Sequence, residues 1–166
     1  FWGDGVPVTT ADVVFTWKVG KHPETGVSDF RSFQDILDIE VKDDKTFTVV
    51  SRKLDYRYYA MSGFDILPAH LEKAAFDVPK EYRHRTLYET DPTNPGLYNG
   101  PYRITEVTPG SHIVLRRNKA WRGAVPVFNE IQVRTIEKTA ALEANLLSGA
   151  IDYIAGEAGL SLDQAL

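Results

Sequence analysis

Apolar positions along the first quarter of the chain change period twice. Val13, Val14 and Trp17, with the stem of Lys21, recur at helical spacing after Val8-Thr9-Thr10-Ala11-Asp12. Thr9 or Thr10 supplies the N-cap, and the Asp12 carboxylate is favoured in the first turn. Pro23 and Gly26 end that helix, and a looser stretch through Ser28-Asp29-Phe30-Arg31 leads to Ile36–Lys42. From Leu37 onward the pattern alternates as in a half-buried strand. Asp43-Asp44-Lys45 is turn chemistry, and Thr46–Val50 returns as the second strand of a hairpin. Ala60–Leu67 fits either a helix end or a short extended segment, and Pro68–Ala74 opens a second helix with Pro68 near its first position.

Between Asp77 and Asn99 the chain turns polar and rich in breakers, including Asp91-Pro92-Thr93-Asn94-Pro95-Gly96. Such a shift in composition marks a candidate domain boundary. Beyond it, Tyr102–Val107 alternates, Pro109-Gly110 turns, and His112–Arg117 returns, with a third strand signal over Val127–Ile136. Lys138–Ser148 reads as an amphipathic helix stopped by Gly149, Ile151–Ile154 as a short strand, and Ser161–Gln164 as the start of another helix. Strand, helix and strand in that order predict a βαβ crossover with a parallel pair in a mixed sheet. The expected class is α/β: an α+β part followed by the beginning of a mixed-sheet lobe.

Composition narrows the function classes. The 166 residues are 43% hydrophobic and 25% charged, enough for one domain or two small lobes with a real core. Net charge is −4 with both signs scattered, which argues against a nucleic-acid partner. The most basic stretch, Arg116-Arg117-Asn118-Lys119 with Arg122, is short and suits the solvated end of a hairpin. There are no cysteines, so disulfides and thiolate-held zinc are excluded from this sequence. No apolar run approaches the roughly 18 residues that cross a bilayer. The opening Phe1-Trp2-Gly3-Asp4-Gly5 has no initiator Met and predicts an internal segment of something longer, so the lack of a signal segment says nothing about export.

Catalytic chemistry finds little support. His22, His70, His84 and His112 fall in no metal-ligand spacing, and no metal or cofactor is expected. Ser62-Gly63 and Ser148-Gly149 lack the nucleophile-elbow pattern, and Ser148-Gly149 is explained as a helix end. Asp43-Asp44 reads as turn formation. Gly96, Gly100 and Gly110 form no phosphate loop. The crowded Tyr56, Tyr58 and Tyr59, followed by Tyr82, Tyr88, Tyr98 and Tyr102, suit either a surface that encloses small solutes or ordinary packing. Nothing requires an enzyme.

Three segments resemble the family 5 extracellular solute-binding proteins, which include dipeptide-, oligopeptide- and nickel-binding members. Trp2 to Trp17 is similar to that family's W-x-DG-x-P-x-T-A-x-DV-x-FT-W segment, with one extra residue, Thr10, before Ala11-Asp12. Asn99-Gly100-Pro101-Tyr102-Arg103-Ile104, continued by Arg117-Asn118 and Trp121, resembles its GPY hairpin and RN-x-x-(Y/W) continuation. Ala141–Tyr153 is similar to its helix and strand ending in SG-x-ID. With three such segments in the family's order, the resemblance runs over essentially the whole chain.

The resemblance implies a peripheral α+β domain over residues 1–98 and a partial type II periplasmic-binding-protein lobe over 99–166. It implies a non-catalytic, substrate-binding component of an ABC importer, periplasmic or lipid-anchored outside the cytoplasm. Its partners would be a small solute such as a peptide, and a membrane permease. Binding between two closing lobes makes this chain part of one wall. The candidate wall residues are Asp29, Phe30 and Arg31 after the first helix, and Ala155, Gly156 and Glu157 after the Ile151 strand. A ligand-sensing or chaperone-like role on the same scaffold is the alternative; a hydrolase is disfavoured for want of an activated nucleophile.

Overall fold

The computed structural model describes residues 1–28, 30–53 and 63–155. In chain order the elements are α1 (Thr10–Lys21), α2 (Phe30–Asp35), β1 (Ile36–Asp43), β2 (Thr46–Ser51), α3 (Ala69–Phe76), α4 (Tyr82–Arg85) and α5 (Leu87–Thr90). β3 (Tyr102–Thr108), β4 (His112–Arg117), β5 (Glu130–Arg134) and α6 (Thr139–Leu147) follow.

Thr9, not Thr10, caps α1. Its backbone is extended, its hydroxyl accepts from Ala11 N at 3.3 Å, and Asp12 reaches back to Thr9 N at 2.8 Å. Reciprocal capping of this kind contributes about 1 kcal/mol. Thr10 instead ties the helix to the hairpin, its hydroxyl donating to Asp43 O (3.1 Å) and its N–H to Asp44 O (3.0 Å). Lys45 Nζ donates to Val8 O as well, so the β1–β2 turn grips the start of the helix. That grip matters because a two-stranded hairpin is marginal by itself.

Burial on α1 is two-sided. Val13, with the half-buried Val14 and Trp17, packs against Ile36 and Ile39 of β1. Phe15 and Val19 face the other way, onto Ala75 of α3 and Tyr82 of α4. The helix is therefore the central layer between hairpin and short helices. The polar 77–98 stretch is not a bare linker: two 3-10 turns and α4 and α5 fold it back, and Tyr82 and Leu97 are buried.

β3, β4 and β5 form a second sheet in that order, antiparallel throughout, with Ile104 opposite Leu115 and Val114 opposite Gln132. α6 ends as its sequence requires. Gly149 has φ 71°, its N–H donates to Leu146 O (3.0 Å), and Ala150 N donates to Asn145 O (2.8 Å). This paired closure satisfies the last carbonyls of the helix. The expected strand at Ile151–Ile154 does not form, and no parallel pair exists among the described residues. A strand is defined by a partner ladder, and none of the described strands pairs with this segment.

Candidate functional site

The residues that carry the first sequence signature converge on one carboxylate. Asp12 is buried; besides Thr9 N it accepts from Trp2 Nε1 (3.3 Å) and Ala69 N (2.9 Å). It thereby joins the N-terminal turn, the cap of α1 and the start of α3. Trp2 is 1% exposed. The turn beneath it closes through Trp2 N to Val6 O (2.8 Å) and Gly5 N to Trp2 O (2.9 Å), with Gly5 at φ 92°. Asp4 accepts from Val6 N (3.0 Å) and meets His70 Nε2 at 2.8 Å. Burial opposes its ionisation, but the Val6 N–H and His70 together outweigh this and hold its carboxyl below the ordinary value.

The second signature is also architectural. Asn118 donates to Tyr98 O (3.2 Å) and Gly100 O (3.0 Å) and accepts from Ala120 N (3.0 Å). Tyr102 donates to Phe128 O (2.9 Å), and Arg117 donates to Phe128 O and Val127 O (3.0 Å each), closing the loop from β4 to β5.

The candidate wall residues divide as follows. Phe30 and Arg31 occupy the first turn of α2, half-buried and exposed respectively. Asp29, Gly156 and Glu157 lie outside the described residues, as do Tyr56, Tyr58 and Tyr59. Ala155 is exposed beyond α6. α2 packs on α1 and β1, whereas Ala155 belongs to the chain's other half, and no hydrogen bond among the described residues joins the two.

The sequence pattern does not predict α2, and its seating is specific. Phe33 is 4% exposed and fills the notch left by Gly20, where a Cβ would stand 2.4 Å from its ring. The Phe33 ring also meets Phe64 at 5.4 Å, which brings the 63–67 segment beside α2. Gln34 Nε2 donates to Lys21 O (2.9 Å), and Arg52 N donates to Asp35 O (2.8 Å), so the C-terminal half of α2 is tied down. At the other end of α2, Phe30 is half-buried and Arg31 is exposed. Nearby, Trp17 Nε1 is buried without a hydrogen-bond partner among the described residues, and Lys21 Nζ lies 4.5 Å above the Trp17 ring.

A buried acid that sequence reading misses lies on α3. Glu72 is 0% exposed and accepts from Tyr82 OH (2.9 Å), Thr86 Oγ1 (2.6 Å) and Leu87 N (2.8 Å). Burial, then the Glu72 charge, pushes the Tyr82 phenol far up. A carboxylate holding three donors and sealed from solvent is an anchor rather than an acid–base group. No signal marks it, since Glu72 follows Ala-His-Leu in an ordinary helical pattern.

Several of the remaining polar candidates have structural partners. His22 Nδ1 accepts from Glu24 N (3.3 Å), and His112 contacts Ser111 Oγ (3.0 Å) and Glu106 (3.4 Å). Ser148 Oγ donates to Asn145 O (3.1 Å) at the helix end. Lys45 N and then Thr46 lower the Asp43 carboxyl, as in an ordinary turn. Tyr82 OH donates to Glu72, and Tyr88 OH donates to Leu97 O (3.0 Å), so both hydroxyls are engaged within the fold. Among the described residues no group of three or more His, Asp and Glu could hold a metal, and no helix is long and apolar enough to cross a membrane.

Comparison with known proteins agrees with this architecture. The chain is 25% identical over 157 residues to a Brucella ovis protein provisionally named an ABC transporter peptide-binding protein, covering 92% of this chain and 28% of that one. NikZ of Campylobacter jejuni, solved with Ni(L-His), shares the fold with a TM-score of 0.76 at 21% identity, over 92% of this chain and 29% of NikZ. The oligopeptide-binding protein AppA of Bacillus subtilis, solved with a nonapeptide, also gives 0.76, at 24% identity over 91% and 29%. The helices and antiparallel sheets match the type II periplasmic-binding-protein fold of these neighbours. The chain thus spans less than a third of its relatives' length. Residues 1–165 match the middle part of the bacterial extracellular solute-binding proteins, family 5, and the chain belongs to that family.

Proposed function

We propose that this chain is a scaffold portion of the substrate-binding component of an ABC importer. The complete protein captures peptides or similar small solutes outside the cytoplasm, periplasmic or lipid-anchored, and delivers them to a membrane permease without catalysis. The observation that carries this reading is the family match over residues 1–165. Relatives solved with a nickel–histidine complex and with a nonapeptide support a small polar solute. Residues 1–98 form the peripheral domain and 99–166 part of a binding lobe. The Phe30–Arg31 end of α2, with Asp29 before it, contributes one strip of the solute-facing wall. Ala155, Gly156 and Glu157 contribute another.

Thermal-shift screening of the complete protein against peptides and metal chelates tests this. A solute that binds only the folded state stabilises it by about 2.7 kcal/mol at a hundredfold excess over Kd. If no small solute raises the midpoint, the transport reading is wrong. Gly20→Ala provides a sharper check, because it displaces Phe33 and with it the wall end of α2. It should cost about 1–3 kcal/mol of stability and weaken the solute found in the screen. Alone, this chain holds only part of the wall, so calorimetry should detect no micromolar affinity for a free peptide.

A further inference from the structure

A hollow of about 410 Å³ lies between the connection leaving α1 and the segment bearing α4 and α5. Its lining includes the buried Val19 and Tyr82 and the half-buried Val27 and Leu67. Neither Phe30 nor Arg31 of the wall proposed above lines it. Most polar side chains around it are already engaged. Thr25 Oγ1 donates to Val19 O (2.8 Å), Thr86 Oγ1 and Tyr82 OH donate to Glu72, and Tyr88 OH donates to Leu97 O.

Two lining groups remain uncommitted. The Ser28 hydroxyl and the Arg83 guanidinium are exposed and have no hydrogen bond or ion pair among the described residues. Both donate, and the guanidinium is always charged and suited to grip a carboxylate. Glu72 stands behind Tyr82 with all its donors in place, and Asp65, which acts on Tyr88, forms no ion pair with Arg83. An apolar surface beside a free cation selects an anion with an apolar body. The volume is within the range of ordinary small-molecule sites.

We propose that this hollow is an accessory site for a small aromatic or aliphatic carboxylate, its body against Val19, Val27, Leu67 and Tyr82 and its carboxylate on Arg83. Its open mouth limits affinity to a Kd on the order of millimolar for a ligand of about ten heavy atoms.

The test is titration of the isotope-labelled 166-residue chain with sodium phenylacetate at fixed ionic strength, followed by amide NMR shifts, with phenylacetamide as the neutral counterpart. Saturable shifts at Gly26, Val27, Arg83 and Tyr88 are expected, with the amide binding about five-fold or more weakly. Arg83→Gln should bring phenylacetate to the level of the amide and leave the amide unaffected. Val27→Glu, which sets a negative charge in the lining, should abolish binding of the acid in a chain whose spectrum remains dispersed. Absent or unsaturable shifts, equal binding of acid and amide, or an Arg83→Gln variant that binds the acid as before would each overturn the proposal. Shifts centred on Phe30 and Arg31 would also overturn it, while supporting the separate α2 wall.

Discussion

α1 and α6 both read as apolar helices, yet they have opposite fates. α1 buries Thr10, Asp12, Val13, Phe15, Thr16, Val19 and Gly20, whereas α6 buries none of its residues. The difference extends to the surrounding chain. Before residue 98 two apolar clusters and two hydrogen-bonded carboxylates, Asp12 and Glu72, surround α1 and α3. After it only Val114 and Asn118 are buried among the described residues, while Val127, Leu147 and Tyr153 are 84%, 81% and 80% exposed. An apolar stripe is an offer of burial, and a second element must face it before the offer counts. α1 has partners on two sides; α6 is held by its ends, through the Gly149 closure and the Asn145 side chain on Ala141 O at 2.7 Å.

Four substitutions separate the two regions, beginning with the largest effect. Trp2→Ala removes a fully buried ring and a donor to Asp12, and should cost about 3–5 kcal/mol in urea unfolding. A loss under about 1 kcal/mol would mean that the N-terminal turn is not part of the core. Glu72→Ala leaves Tyr82 OH, Thr86 and Leu87 N without their acceptor and should cost about 2–4 kcal/mol. Near-native stability would show that water replaces the carboxylate.

Asp4 gives a smaller, pH-dependent effect. Its carboxyl is depressed in the folded state, so its stabilisation is present above the unfolded value near 3.9 and is lost as pH falls through the folded value. Asp4→Asn should therefore flatten the stability profile in that acid window, and a parallel profile would remove Asp4 from the explanation. At the bottom of the scale, Leu147→Ala should shift the midpoint by less than about 0.5 kcal/mol, as expected of an exposed side chain. A cost above about 2 kcal/mol would place α6 in a core and dissolve the contrast.

Much of the fold was legible. Helix α1, the β1–β2 hairpin, α3, the β3–β4 hairpin, β5 and α6 all stand where period and turn chemistry put them. α2 was not, because Phe30–Asp35 is only six residues long, too short for a helical period to emerge. Nor were the short helices of 77–98 legible, since the buried Tyr82 and Leu97 are isolated among polar residues. Of the candidate wall, sequence supplied Phe30 and Arg31 by resemblance, but their fixed base depends on Phe33, Gly20 and Phe64, which are far apart in the chain.

Sequence alone thus determined the family, the order of the longer elements, and local devices such as a threonine cap at Thr9 or Thr10 and the Gly149 stop. These depend on neighbours within a few residues, which any local pattern displays. Tertiary structure decided that Asp12 links Trp2 to Ala69, that Glu72 is sealed under Tyr82, that Ile151–Ile154 remains unpaired, and that Arg83 borders an apolar hollow. Each of these turns on which surfaces meet across long stretches of chain, and burial and pairing belong to both partners rather than to either segment.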